Sequence, residues 1–172
     1  MPHHDTHFRP AATAVITVSD TRTEATDTSG KYLADTLRQK GHQVVHTTLV
    51  KDEPTQIRAA VQQRLDARDC SYILLTGGTG LTPRDATPEA VSPLFDKEIP
   101  GFGELFRFLS YKDIGTATIQ SRATAGLCGE TVVFLLPGST GACRLALEKI
   151  ILPQIDNTTR PCNFRGTIPD PS

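Results

Sequence analysis

Short apolar runs and amphipathic stretches take turns along this 172-residue chain, and their periods predict strands and helices in alternation. Ala14 to Val18, rich in β-branched residues, reads as a first strand. A polar stretch from Asp20 to Asp27 leads to a helix capped by Thr28 or Ser29 and ended by Gly41, with Leu33 and Leu37 on one face. Gln43 to Val50 is a second strand. Pro54 opens a second helix, in which Ile57, Val61 and Leu65 recur every four residues and form one buried stripe. Tyr72 to Thr76 is a third strand. A short helix follows from Pro88 to Phe95, with Thr87 as its N-cap, and another from Gly101 to Asp113. Phe102, Leu105, Phe106 and Leu109 stand at helical spacing there, as core or subunit interface. Thr116 to Gln120 is expected as an edge strand. Thr131 to Leu136 is a further strand, after which Ser139 caps a long final helix. That helix carries Leu145, Leu147, Ile150 and Ile151 and is kinked or ended by Pro153.

This alternation predicts an α/β fold, a mostly parallel sheet with helices on both faces. In such a sheet ligands bind beyond the carboxyl ends of the strands. Asp20 follows the first strand, Asp52 the second, a glycine loop with Asp85 the third, and Gly138-Ser139 the strand that ends at Leu136. Residues far apart in sequence are therefore expected on one rim. Arg38 and Lys40 fall away from it and read as solvated charges at a helix end.

The glycine loop is the most informative stretch. Residues 76 to 89 read Thr-Gly-Gly-Thr-Gly-Leu-Thr-Pro-Arg-Asp-Ala-Thr-Pro-Glu, directly after the apolar run Tyr72 to Leu75. Glycine admits positive φ and close approach of backbone amides to a ligand, which is how loops hold phosphate oxygens. The spacing fits neither the Gly-Lys-Ser/Thr phosphate loop nor the dinucleotide fingerprint. Gly77, Gly78 and Gly80 are the expected phosphate-holding amides, flanked by Thr76 and Thr79. Arg84 can add a positive fork, whereas Asp85 has the wrong sign for phosphate and suits a phosphate-bound magnesium ion. A purely structural role, Asp85 at a helix start and Asp52 in a turn before Pro54, accounts for either aspartate alone.

Charge narrows the partners. Eighteen basic against nineteen acidic side chains give no footprint for nucleic acid. The apolar runs are strand-sized and no signal peptide opens the chain, so a cytoplasmic protein without membrane contact is expected. Cys70, Cys128, Cys143 and Cys162 lack zinc-site spacing and read as free thiols in a reducing compartment. His3, His4 and His7 belong to a polar tail and read as solvated, and His42 and His46 carry no assigned role. The organisation expected is a flexible tail over 1–11, one domain over 12–160 and a C-terminal tail over 161–172.

Six segments together carry a family resemblance. Besides the glycine loop, these are Val15-Ile-Thr-Val-Ser-Asp20 with Asp27-Thr-Ser-Gly-Lys-Tyr-Leu33, then Pro100-Gly-Phe-Gly-Glu104, Leu135-Leu-Pro-Gly-Ser139 and Thr159-Arg-Pro-Cys-Asn-Phe164. The chain resembles the MoaB/Mog family of molybdenum cofactor biosynthesis proteins, and the last segment is similar to the MoaB branch. The resemblance implies a three-layer, Rossmann-like αβα sandwich of the molybdopterin-binding type. It implies adenylyl transfer from MgATP to molybdopterin, with Asp52 and Asp85 as the essential, magnesium-binding aspartates and Gly138-Ser139 seating phosphate. It also implies a homo-oligomer, a hexamer as in the MoaB branch or a trimer as in Mog. Thr140 stands where many relatives have proline, a variant that resembles the MoaB branch, some of whose members lack the transferase activity. Two alternatives follow: a non-catalytic molybdopterin-binding or assembly protein, and a regulatory domain that senses a nucleotide.

Overall fold

In the computed structural model, residues 7–169 are described, and His3 and His4 lie outside them. The elements are β1 (Ala12–Val18), α1 (Thr28–Gln39), β2 (Gln43–Val50), α2 (Pro54–Ala67), β3 (Tyr72–Thr76), α3 (Thr87–Val91), β4 (Lys97–Glu98), α4 (Pro100–Ile114), β5 (Thr124–Cys128), β6 (Thr131–Leu136), α5 (Thr140–Ala146) and α6 (Leu152–Ile155). Six strands form one sheet in the order β2-β1-β3-β6-β5-β4. β2, β1, β3 and β6 run parallel, whereas β5 is antiparallel to β6 and β4 to β5.

Alternation along the central strands divides the core between two faces, as the strand period requires. Val15, Leu74 and Phe134 point to one side, where Leu33 and Leu37 of α1, Phe102 and Phe106 of α4, and Leu147 and Ile151 cover them. Ile16, Ile73, Leu75, Val133 and Leu135 point to the other and meet Ile57 and Val61 of α2 with Ala90 and Val91 of α3. These are the three expected layers.

Three local expectations are corrected. Thr116–Gln120 is not a strand: Gly115, with φ 59°, ends α4, and Gly115–Gln120 coils into a 3-10 turn that Thr118 Oγ fastens to the Arg107 carbonyl at 3.2 Å. The antiparallel edge is made by β5 and β4 instead. The N-cap of α1 is Asp27, not Thr28 or Ser29; its Oδ1 accepts from Gly30 N at 2.9 Å. Thr87 does not cap α3, because its hydroxyl donates to the Gly77 carbonyl at 2.9 Å and is buried there. The final helix does span Thr140 to Ile155, but its Leu147–Ile151 section is a π-helix. Pro153 offers no amide to the turn before it, and the wider turn absorbs that missing bond.

Both ends of the described residues pack on the domain. Asn157 accepts from Arg9 N at 2.8 Å and donates to His7 O at 2.8 Å, and Arg165 donates to the carbonyl of Pro10 at 3.0 Å. Beyond residue 160, Asn163, Arg165 and Ile168 are buried. Leu105 and Phe108 of α4 are exposed, as is Ile119 in the 3-10 turn that follows, at 77 %. Among the described residues, no helix is long and apolar enough to cross a membrane, and all four cysteines are free thiols.

Candidate functional site

At the carboxyl ends of β1, β2, β3 and β6 lies a cleft of about 640 Å³. Its walls bring together Thr17 to Arg22, Asp52, Thr76 to Gly80, Asp85 and Pro137 to Ser139, with Gln120 and Ser121 closing one side. Asp20, Asp52, Asp85, the glycine loop and Gly138-Ser139 thus share one rim. Thr76 is buried, its hydroxyl donating to the Pro137 carbonyl at 2.9 Å, and so joins the loops after β3 and β6.

The glycine loop owes its path to a few bonds. Gly77 has φ 112° and Gly78 φ 68°. Gly77 N donates to Leu136 O at 3.0 Å, extending the β3–β6 ladder past its last register pair, so this amide is engaged within the fold. Among the described residues, no acceptor takes the amides of Gly78 or Thr79. The carboxylates crowd the glycines: a Cβ on Gly78 would lie 3.1 Å from Asp52 Oδ1, and one on Gly80 2.9 Å from Asp85 Oδ2.

The aspartates differ in environment. Asp85 Oδ2 accepts from Thr82 N at 2.9 Å and from Thr82 Oγ at 2.5 Å. Burial alone would raise its carboxyl, but these bonds, the Gly80 amide and the Arg122 charge outweigh it and hold the group below its ordinary range. Asp20 is spent elsewhere, pairing with Arg84 at 2.7 Å and accepting from Asp52 N at 3.1 Å. Asp52 Oδ1 is buried with no hydrogen-bond partner among the described residues. Its carboxyl is held above its ordinary value by burial first, then by the charges of Asp20 and Asp85, against the weaker pull of the Ala86 amide and Arg84.

A carboxyl raised in the fold contributes stability that is full below its unfolded value of 3.8 and is lost as pH rises through the folded value. Ionised Asp52 therefore opposes folding at neutral pH. Asp52→Asn should raise the thermal midpoint at pH 7 by a few degrees at most, since the group is partly solvated. That gain should shrink as pH falls toward 4. Melting curves from pH 4 to 8 check this, and an unchanged or lower midpoint at pH 7 would contradict it.

Arg84 does not line the cleft. Its guanidinium binds Asp20 and, at 3.1 Å, Glu53, and its side chain is 58 % exposed. Two arginines not singled out in the sequence do more. Arg22 lines the cleft and donates to Gly138 O at 3.2 Å. Arg122 grips the glycine loop from outside, through Nε to Gly80 O at 2.9 Å, NH2 to Asp85 O at 2.9 Å and NH1 to Glu89, while its backbone N donates to Thr79 O at 3.0 Å. No local motif marks either one; only the loop crossings of the fold bring them in.

Ser139 caps α5, its Oγ accepting from Ala142 N at 3.2 Å. Next to it, Thr140 Oγ lies 3.0 Å from Ser29 Oγ and 3.2 Å from Thr28 Oγ, and Ser29 Oγ donates to Gly138 O at 2.8 Å. These hydroxyls brace a turn that a proline ring would stiffen in another way.

The matching family model, described as "Probable molybdopterin binding domain", covers residues 14–157. This chain belongs to that family. Within it, the chain is 52% identical over 164 residues to "Molybdenum cofactor biosynthesis protein B" of Escherichia coli (strain K12), covering 95% of this chain and 96% of the relative. A crystal structure of a molybdenum cofactor biosynthesis protein B superposes with a TM-score of 0.83 at 49% identity, over 86% of this chain and 92% of that one. The tungsten cofactor synthesizing protein MoaB from Pyrococcus furiosus superposes with a TM-score of 0.75 at 39% identity, over 84% of this chain and 92% of its own. The expected MoaB/Mog membership and fold are both borne out.

Two other concavities have different chemistry. One, about 330 Å³, lies between α1 and β2 and mixes Asp27, Lys31, Asp35 and Arg38 with threonines of β2. The other, about 530 Å³ and at the opposite rim, holds Cys70 and Cys128. Burial pushes those thiols up to about 12 and about 11, which keeps them protonated and unreactive at neutral pH.

Proposed function

We propose that this cleft binds molybdopterin and MgATP and transfers AMP to the terminal phosphate of the pterin, within molybdenum cofactor biosynthesis. The observation that carries this reading is the pairing, in one cleft, of glycine-loop amides and a buried carboxylate oxygen that find no partner among the described residues. An orphaned buried Asp52 Oδ1 costs free energy unless a cation or donor meets it. Magnesium bound to phosphate commonly keeps its waters and takes only one or two carboxylates. Asp52 and Asp85 fit that demand, and a denser ligand cluster is absent among the described residues. Bound there, magnesium would offset the charge of the ATP phosphates.

The residues then have separate tasks. Gly78 and Thr79 amides hold phosphate oxygens. Gly138 and Ser139 seat the pterin phosphate at the mouth of the α5 turn. A pterin phosphate oxygen attacks the α-phosphorus, the new P–O bond forms, and the bond to pyrophosphate breaks with its electron pair leaving on pyrophosphate. The attacking oxygen is already ionised, so no general base is assigned, and alignment of the two anions carries the rate. Incubation with molybdopterin and MgATP should release pyrophosphate. Binding of molybdopterin with no release would select the alternative, a non-catalytic molybdopterin-binding or assembly protein.

The exposed apolar side chains Leu105 and Phe108 of α4, and Ile119 after it, support self-association into a closed homo-oligomer. Light scattering should give a hexamer, with a trimer as the alternative. A monomer at micromolar concentration would contradict it.

A further inference from the structure

A phosphate group entering this cleft would meet the carboxylates of Asp20, Asp52 and Asp85, and among the described residues one cation lines the walls with them: Arg22. Its placement is built by the loop after β1. Ser19 Oγ accepts from the amides of Thr21 and Arg22 at 3.3 and 3.1 Å, which folds the loop back over the cleft. The guanidinium then reaches the far wall, donating through NH2 to Gly138 O at 3.2 Å. Asp27 forms an ion pair with NH1 at 3.6 Å, too long for a hydrogen bond, and its two oxygens accept from Gly30 N and Thr17 Oγ. Arg22 thus keeps donors for a ligand and sits beside Gly138-Ser139, while being 30 % exposed and so partly desolvated. A planar five-donor fork held in this way suits a phosphate monoester.

Arg84 has the opposite character. It lies outside the lining, and both faces of its fork are taken by Asp20 and Glu53. Removing it would free Asp20 without removing a ligand contact.

We propose that Arg22, and not the motif-borne Arg84, is the anion-binding cation of the cleft, receiving a phosphate monoester next to Gly138 and Ser139. The identification of that ligand with molybdopterin or AMP rests on the reading above; the anion site itself does not. Arg22 also sets a polarity, with the monoester at the Gly138 side and the magnesium-bearing phosphates at the Asp52–Asp85 side.

Titration calorimetry with AMP, without magnesium, tests this on the full-length wild type and on Arg22→Gln, Arg22→Lys and Arg84→Gln. Arg22→Gln should weaken AMP binding by roughly 10- to 100-fold, the scale of a charge-assisted pair. Arg22→Lys, which keeps a point charge but loses the fork, should fall between, and Arg84→Gln should stay within about threefold of wild type. Far-ultraviolet circular dichroism on each variant checks that it is folded, and Arg22→Lys carries the test if Arg22→Gln is not. AMP binding unchanged in both Arg22 variants, or lost as strongly in Arg84→Gln, would overturn the assignment. No AMP binding by the wild type would overturn it together with the phosphate role of the cleft. If Arg22→Gln weakens AMP while the wild type releases no pyrophosphate, the anion site stands and only the transferase reading falls.

Discussion

Gly77→Ala should lose roughly 3–5 kcal/mol of unfolding free energy, a large share of the total for a domain of this size. The residue sits at φ 112°, where an L side chain is strained. An added Cβ would also fall on the carbonyl oxygen of Val18, inside van der Waals contact. That oxygen belongs to the end of a central strand, so relief would have to part β1 from β3 or undo the Gly77–Leu136 bond. Urea unfolding measures the effect. Gly141→Ala is the internal control, because a Cβ there meets nothing within 4 Å and lies in the first turn of α5. It should be neutral or slightly stabilising. A loss below about 1 kcal/mol in Gly77→Ala would show that the loop can be rebuilt, and the close-approach account of the glycines would fail.

Asp85→Asn should lower pyrophosphate release at least 100-fold, about the scale of removing one preorganised charge-stabilising group. Stability should change little. Asparagine keeps an oxygen that can accept from Thr82, so the turn from Thr82 to Asp85 survives while the negative charge is lost. Turnover within a few-fold of wild type, with the fold intact by circular dichroism, would remove Asp85 from the metal role. The comparison with Asp52→Asn is informative because the two carboxyls are shifted in opposite directions. Asp52 is strained by its charge and should gain stability on neutralisation; Asp85 is held by donors and should not.

What the sequence conceals follows from particular contacts. The inner parallel strands β1, β3 and β6 are legible because each is a β-branched or leucine-rich run closed by polar residues or glycine and buried on both faces, whereas the edge strand β2 is legible from its β-branched residues alone. β5 is hidden because its inner positions must be small: a Cβ on Gly126 would enter the ring of Phe95, and Ala125 lies in the core shared with Phe102 and Phe134. Small residues give a weak strand signal, and Thr116–Gln120 next to them looks the better strand until Gly115 ends α4 with a positive φ. The rim that collects Asp20, Asp52, Asp85 and Ser139 is legible from strand order alone. The cation is not, since sequence adjacency favours Arg84, whereas Asp20 and Glu53, 64 and 31 residues away, capture it. Arg22 enters the cleft only through the crossing of the β1 and β6 loops, 116 residues apart in sequence. Thr140 likewise looks like a missing proline until Ser29 and Thr28 are seen beside it.

Amide hydrogen exchange with and without molybdopterin tests the central claim most directly, because it locates the ligand without relying on catalysis. Exchange should slow in three separated segments, 17–22, 76–80 and 137–139, which meet only in this cleft. No slowing at saturating molybdopterin, or slowing confined to residues 27–38 and 47–49 around the cavity between α1 and β2, would contradict the account.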